Sequence, residues 1–131
     1  VNGSTKYFEH EKGVDEVSAT GAKTAIPAFI ESGDFSLNVN GEGQMFLSMS
    51  RFIPDFKTLQ GDAQVTILLR DFPVDTETSS PLGPFTVTST TKKIDTRARA
   101  RFASLKIANT STEQNWRFGT FRADVQPDGM R

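Results

Sequence analysis

The sequence has no cysteine and only one histidine. Without thiols the chain can form no disulfide scaffold and no thiolate zinc site, and it has no thiol nucleophile. One histidine leaves a single imidazole for a catalytic triad, and the nucleophile-elbow, phosphate-loop and zinc-protease motifs are all missing. We therefore expect no catalytic residue and no enzyme activity.

The histidine, His10, lies between Glu9 and Glu11. Consecutive side chains of a strand point to opposite faces, so neither glutamate would lie beside the imidazole to complete a metal site. Five aspartates near predicted strand ends could supply a glycosidase-like carboxylate pair: Asp34, Asp55, Asp71, Asp95 and Asp124. No spacing singles out a pair, so we expect these side chains to cap turns and neutralise arginines. No metal and no cofactor are predicted.

The chain also lacks an excess of either charge and any long apolar run. Fifteen basic and sixteen acidic residues give a formal charge of -1, which provides no overall field to attract nucleic acid or an anionic membrane. No apolar run approaches the roughly 20 residues of a membrane-spanning helix. We expect a domain that is soluble when expressed alone and does not insert into membranes. The first residue, Val1, favours a domain excised or processed from a longer protein.

What the sequence does contain is an alternation of apolar and polar residues that is typical of half-buried strands. No window shows a helical stripe, and 131 residues with 11 phenylalanines suffice for one hydrophobic core. The pattern predicts an all-β fold, either an antiparallel β-sandwich or a partly closed, jelly-roll-like barrel, with long loops. Residues 1–24 are predicted to be a loose lead-in from a preceding domain, with one short strand near Tyr7 and Phe8. Residues 25–131 are predicted to form the single β-sandwich-like domain.

The predicted strands before residue 92 are an edge piece at Ala25–Glu31, a hairpin of Phe35–Val39 with Gln44–Ile53, a buried strand at Ala63–Arg70 and a β-branched strand at Phe85–Thr91. Pro27 confines the first to an edge strand or an irregular extended piece, and apolar residues on both faces of Gln44–Ile53 indicate a central strand. Pro54–Phe56 and Gln60–Asp62 predict the next connection. Asp71–Pro84, which holds three of the six prolines, predicts a long exposed loop.

In the last third of the chain, the phase of the apolar residues changes twice. The first change lies between Ala100 and Ala103, and the second lies between Phe118 and Phe121. An extra residue in a strand reverses the faces of everything after it. We therefore predict β-bulges near Phe102 and Ala103 and at Gly119.

Arginines recur at every second position at Arg97, Arg99 and Arg101, so on one strand they would project from a single face. If buried without partners each would cost several kcal/mol, so they must meet carboxylates, solvent or another chain. One alternative is an intramolecular ladder of cross-strand ion pairs, with Asp95 and Asp124 as neighbours. The other is a basic face that meets a partner subunit or a phosphate backbone.

A protein partner is favoured over nucleic acid, because the chain shows no series of aromatic residues interleaved with lysine and arginine. The predicted interaction surface comprises Arg97, Arg99, Arg101, Arg117, Arg122 and Trp116. Trp116 itself has two interpretations. It could anchor the core at the start of the last strand, or it could be the stacking platform of a carbohydrate module, together with the Asp71–Pro84 loop.

Four ordered blocks of this sequence resemble a known family: Ala25–Phe35, Arg51–Phe56, Lys93–Arg99 and Trp116–Gly129. They resemble the C-terminal part of a large virion structural protein of tailed bacteriophages, tail-associated and nozzle-like, similar to the tail tubular protein B group. The likeness extends from about Ala25 to the end of the chain.

The resemblance implies an architectural role without enzyme activity. In that family, copies assemble around the tail axis, contact neighbouring tail proteins and bound the channel through which the genome leaves. It implies as partners other copies of the protein and neighbouring tail proteins, with genomic DNA nearby, and a location in the virion tail. No catalytic or ligand residue is carried over, and the matched positions mark fold and packing. The alternative function is a host-surface module that binds carbohydrate.

Overall fold

The computed structural model describes residues 13–37, 45–72 and 81–129. These ranges contain strands and turns and no helix, which confirms the all-β prediction. The strands are β1 (Asp15–Val17), β2 (Lys23–Ala25), β3 (Ala28–Glu31), β4 (Leu47–Gln60), β5 (Ala63–Arg70), β6 (Leu82–Val87), β7 (Ile94–Ala100), β8 (Phe102–Asn109) and β9 (Asn115–Pro127).

Two antiparallel sheets pack face to face. One sheet has the strand order β3-β8-β5-β6, and the other has the order β7-β4-β9. Their facing side chains form one core, in which Phe52 of β4 meets Phe85 of β6 at 5.5 Å and Phe121 of β9 at 5.6 Å between ring centroids. The β-sandwich prediction is confirmed, and the two sheets do not close into a barrel.

The buried strand β5 has the bounds that the alternation predicts, Ala63–Arg70. Its inward residues Val65 and Ile67 are 0% and 1% exposed, while the residues between them are half-buried. β8 on one side and β6 on the other cover both of its edges. A two-residue period therefore sufficed to locate the centre of the larger sheet.

The strand β4 is central, as predicted, but it is longer than the sequence indicates. It runs for 14 residues through Pro54, where we predicted a connection. β7 pairs with β4 only from Leu47 to Phe52, whereas β9 continues beside it to Gln60. Pro54 thus lies where β4 has a paired neighbour on one side only, so its missing N–H interrupts at most one ladder.

The first change of apolar phase has a different cause from the bulge we predicted near Phe102 and Ala103. The chain leaves one sheet at Ala100, the end of β7, and enters the other at Phe102, the start of β8. Arg101 is the single residue at this crossing. The inward direction reverses there because the two sheets face each other across the core.

The second change of phase is the predicted bulge. Asp55 of β4 is opposite Thr120, and the next residue, Phe56, is opposite Phe118, so Gly119 has no counterpart. A Cβ atom at Gly119 would lie 2.9 Å from the carbonyl oxygen of Asp55. Glycine is needed there because the two backbones approach too closely for any side chain.

The short strand β3 is the edge strand that Pro27 predicted, and one buried side chain holds it in place. The amide of Asn109 accepts a hydrogen bond from the N–H of Ala28 and donates one to the carbonyl of Ile26. Asn109 is only 6% exposed. It satisfies the backbone on both sides of a proline that cannot donate.

An N-terminal hairpin of β1 and β2 is attached to the turn between β8 and β9. The carboxylate of Asp15 accepts the backbone N–H of Glu113, and Lys23 forms an ion pair with the Glu113 carboxylate. The hydrogen bond and charge of Lys23 lower the pKa of Glu113, and those of Glu113 raise the pKa of Lys23. The predicted boundary between residues 24 and 25 falls inside β2, and the division into lead-in and domain stays a prediction.

Several predictions concern residues outside the described ranges, including the strand near Tyr7 and Phe8 and the turn that starts at Asn40. At the flanks of that turn, Leu37 and Met45 form the antiparallel bridge expected of the predicted hairpin. Much of the predicted Asp71–Pro84 loop is also outside. Its last residues belong to β6, which begins at Leu82 and ends at Val87.

Candidate interaction face

The surface of the β7-β4-β9 sheet that points away from the core is charged, and we call it the outer face. Side chains of β7 alternate between this face and the core, and those of β9 do so on each side of the bulge at Gly119. The charged residues on the outer face are Asp95, Arg97 and Arg99 of β7, Arg51 and Asp55 of β4, and Arg117, Arg122 and Asp124 of β9. Four of the six residues of the predicted interaction surface are on it.

Arg51 occupies the middle of the outer face, between two aspartates on neighbouring strands. Its Nε atom lies 3.1 Å from Oδ2 of Asp124 and 3.9 Å from Oδ1 of Asp95. Both aspartates are directly opposite Arg51 in the strand register. These contacts confirm Asp95 and Asp124 as cross-strand partners of an arginine, which was the ladder alternative.

Two more arginines of the outer face also have partners in the same chain. Nη2 of Arg122 lies 3.7 Å from Oδ2 of Asp55. Arg99 donates from Nε to Oδ2 of Asp128 at 2.6 Å and from Nη2 to the backbone carbonyl of Asp128 at 3.1 Å. The guanidinium of Arg99 also stacks over the ring of Phe46, 4.1 Å from its centroid. Arg99 therefore fixes the end of β9 to the start of β4.

Arg97 and Arg117 differ from these three residues. Both are exposed, and neither has a carboxylate within ion-pair distance among the residues that the structure describes. Arg97 is on β7 between Asp95 and Arg99, and Arg117 is opposite Thr58 near the start of β9. The outer face thus has an ion-paired centre and, at its sides, two arginines without an ion pair among the described residues.

Arg101 is not a third member of the β7 row, so our prediction of three arginines on one strand was wrong for this residue. It lies at the crossing between the sheets, with its guanidinium 5.0 Å from the centroid of Phe46 and 5.6 Å from that of Phe72. Its Nε atom is buried, with no hydrogen-bond partner in the described part of the chain. The two rings hold this charge at the corner of the sandwich.

Trp116 points to the core side of β9 and is half-buried, with its ring edge-on to Phe56 at 6.4 Å between centroids. This position fits the core-anchor interpretation. The indole also lines an open groove of about 380 Å³ with Val14, Ile26 and the amide side chain of Gln114. Trp116 is therefore accessible from one side.

The proposed partner of Trp116 in a carbohydrate site, the Asp71–Pro84 loop, starts at the other end of the sandwich. Asp71 follows the end of β5 that pairs with Phe102, whereas Trp116 is opposite Leu59, just before the turn that leads into β5. The described start of this loop and the indole are separated by the length of β5. No single site that includes both is formed by these residues.

Four of the five scattered aspartates contact arginines, and two of them, Asp95 and Asp124, approach the same Nε atom of Arg51. Asp34 accepts a hydrogen bond from Nη1 of Arg70 at 3.2 Å, and Asp55, Asp95 and Asp124 pair with arginines of the outer face. This arrangement is the neutralising role that we predicted. Among residues 13–37, 45–72 and 81–129, no group of three or more histidine, aspartate or glutamate side chains could hold a metal ion. His10 is outside these ranges.

Sequence reasoning missed two residues of the outer face, Phe46 and Asp128. Phe46 was assigned to a strand face, and no local pattern shows that Arg99 and Arg101 meet on its ring. Backbone hydrogen bonds bring Asp128 to the same place, because Phe46 donates to Gly129 and accepts from Asp128. Only the pairing of β4 with the distant β9 creates this contact.

Comparison with known proteins adds no family to this description. No model of a protein family matches the chain, and a search of curated proteins finds no match either. In the parts of the chain that the structure covers, no helix is long and apolar enough to cross a membrane. The arguments for a function therefore come from the geometry and from the resemblance of the four sequence blocks.

Proposed function

We propose that this chain is a non-enzymatic structural domain of a bacteriophage tail protein, nozzle-like, that mediates contacts between subunits of the virion tail. The observation that carries the proposal is the outer face. Its central charges are paired across neighbouring strands, while Arg97 and Arg117 have no ion pair among the described residues and remain for another chain. The resemblance of the four blocks supports the virion context.

Ion pairs within the sheet explain how a face with so many charged residues can form a structural contact. Arg51 and Arg122 are each held by an aspartate of a neighbouring strand, so their side chains lose little further entropy when a partner docks. Charge arranged in this way favours orientation and specificity of a contact more than affinity. Such a surface suits a repeated contact in an assembly, where many weak interfaces act together.

Immunolabelling of virions tests the proposed location. Antibodies raised against the 131-residue chain are expected to decorate the tail of phage particles in electron micrographs. Labelling of the capsid alone, or of no particle, would contradict the proposal. A second test is particle assembly with the parent protein carrying Arg97→Glu, where shortened or missing tails are expected.

A carbohydrate-binding module of the phage tail is the second candidate, and one observation favours it. Trp116 lines an open groove next to Gln114 and Asn115, and an aromatic face beside amide side chains can stack on and hydrogen-bond to a sugar ring. A glycan array probed with the chain and with Trp116→Ala tests this role. Binding that is lost with Trp116→Ala supports it, whereas no binding of the original chain to any glycan eliminates it.

A further inference from the structure

The two margins of the β7-β4-β9 sheet have no further strand neighbour among the described strands. Within the described residues, β7 and β9 each have β4 as their only strand neighbour. An edge strand presents a row of backbone N–H and C=O groups that a strand of another chain can pair with. The β9 edge is long, 13 residues from Asn115 to Pro127.

The side chains of β9 show that its core side is incompletely covered. Its five inward residues are all half-buried: Trp116, Phe118, Phe121, Ala123 and Val125. Inward residues of β4 such as Leu47 and Met49 are 0% exposed, although they belong to the same sheet. The difference arises because β4 has strands on both sides there. A further strand next to β9 would cover the apolar row.

We propose that β9 of one copy of this chain pairs in parallel with β7 of the next copy, so that the sheet continues from subunit to subunit. The pairing is parallel because β7 and β9 both run antiparallel to β4. This proposal rests on the proposed function in taking the contact to be one between subunits. It adds the partner, the two strands and the register.

Charge complementarity selects the register. With Gln126 placed beside Arg99 of the next copy, Asp124 lies beside that copy's Arg97, and Arg122 lies beside its Asp95. Residues 94–99 and residues 121–126 both alternate between the two faces, so outward residues meet outward residues over these six positions. Arg97, which has no carboxylate partner among the described residues, thereby gains one.

The apolar row is matched in the same register. Phe121 lies beside Ile94 of the next copy, and Val125 lies beside its Ala98. Ile94 is half-buried and Ala98 is 2% exposed in the single chain. Both contacts extend the core instead of exposing polar groups to it. Two independent rows, one charged and one apolar, thus agree on a single alignment.

At the Gln126 end, this alignment involves no displacement along the strands. Within one chain, Ser48 of β4 is opposite both Arg99 and Gln126, so these two residues are at the same height in the sheet. Joining Gln126 to Arg99 of the next copy keeps that height at this end. Arg51 is opposite both Asp95 and Asp124, so at the other end the proposed partners Asp124 and Arg97 are offset by two residues within one chain.

Cysteine cross-linking tests the contact, and the natural chain contains no cysteine that could interfere. Arg97→Cys and Asp124→Cys are prepared as separate variants and mixed at high concentration under mild oxidation. A covalent dimer is expected from the mixture and from neither variant alone. In a single chain carrying both changes the two positions lie on opposite sides of β4, roughly 10 Å apart, which exceeds the distance of about 7 Å that a disulfide can bridge.

Arg117→Cys is the matched control for Arg97→Cys. It replaces an exposed arginine of the same face that also has no ion pair in the described residues, but it lies outside the proposed pairing. Mixed with Asp124→Cys it is expected to give no dimer. Near-ultraviolet circular dichroism of each variant checks that the fold is retained.

A second measurement does not depend on cysteine. In sedimentation experiments, Arg97→Glu is expected to weaken self-association about tenfold or more, since a like-charge pair with Asp124 replaces an opposite pair. Arg117→Glu, with the same change of charge, should associate as the original chain does. Equal association of both variants would overturn the proposal.

The remaining outcomes separate this inference from the proposed function. A dimer from Asp124→Cys alone would show that two β9 strands pair with each other, and it would overturn the β9–β7 contact. No dimer from any mixture, together with antibody labelling of phage tails, would overturn the contact and leave the virion role intact. Cross-linking in the expected mixture without labelling of virions would support the contact and contradict the virion role.

Discussion

The strands β5 and β9 have the same alternating sequence pattern and different degrees of burial. The inward residues Val65 and Ile67 of β5 are 0% and 1% exposed, whereas Phe118, Phe121 and Val125 of β9 are only half-buried. β5 has a strand on each side, and β9 has one neighbour among the described strands. The apolar period thus reports which face of a strand points inward. The number of neighbouring strands decides how completely that face is covered.

The two regions should differ most in how much stability they lose when a phenylalanine is replaced by alanine, once in the centre of the sandwich and once at the β9 margin. Phe52→Ala is expected to lower the free energy of unfolding by about 3–5 kcal/mol, because it leaves a cavity between two packed sheets. Phe118→Ala removes the same atoms from a half-buried site and should cost clearly less. Urea unfolding of both variants measures the difference, and equal losses would show that β9 is as well covered as the centre.

A substitution at the Gly119 bulge should give the next largest change in stability, because it affects the backbone of the β9 margin itself. Gly119→Ala should destabilise the fold by about 1–3 kcal/mol, since its methyl group would press on the carbonyl oxygen of Asp55. Gly33→Ala is the control, because a Cβ atom there meets no atom within 4 Å. Thermal unfolding of both variants is the measurement. A loss at Gly33 as large as that at Gly119 would contradict the close-approach explanation.

The ion pairs of the outer face should contribute less to the free energy of unfolding than the packing at Phe52 or at Gly119. Arg51→Met is expected to cost about 0.2–1 kcal/mol, the range for exposed ion pairs, because 45% of the Arg51 side chain is exposed. Arg117→Met, which removes an arginine without an ion pair in the described residues, should have no measurable effect. High salt should reduce the difference between the two variants. A difference that salt does not change would point to packing of the arginine stem instead.

The smallest effect on stability is expected where the N-terminal hairpin is attached to the turn between β8 and β9. Lys23 lowers the pKa of Glu113 through a hydrogen bond and its charge, so this pair contributes stability above the unfolded pKa of Glu113 and loses it as pH falls through the folded value. An NMR titration of the Glu113 carboxylate should show a lowered pKa that rises again in Lys23→Met. The same titration curve in both chains would show that the pair does not form in solution.

Much of the sandwich was predictable where the signal was local. The bounds of β5, the edge position of β3 after Pro27 and the bulge at Gly119 all follow from alternation and from the backbone chemistry of proline and glycine. Two local signals misled the prediction. Pro54 was taken as a connection because the sequence does not show that β7 ends before it, and the phase change at Arg101 was assigned to a bulge because a crossing between sheets leaves the same pattern.

The interaction face was predictable only in part. Alternation correctly placed Arg97 and Arg99 together, and the pairing of Asp95 and Asp124 with an arginine was anticipated. That Arg51 is this arginine depends on the register of three strands that are far apart in sequence. The contact of Asp128 with Arg99 has the same origin.

The sequence by itself determined that this chain folds into strands with one charged and one apolar face, because successive side chains of a strand point to opposite faces wherever no bulge intervenes. Tertiary structure alone decided which strands lie side by side. That choice sets which charges are neutralised within the chain, which apolar rows stay half-covered and which edges remain unpaired. These properties depend on contacts between distant segments, and such contacts have no signature in a local pattern.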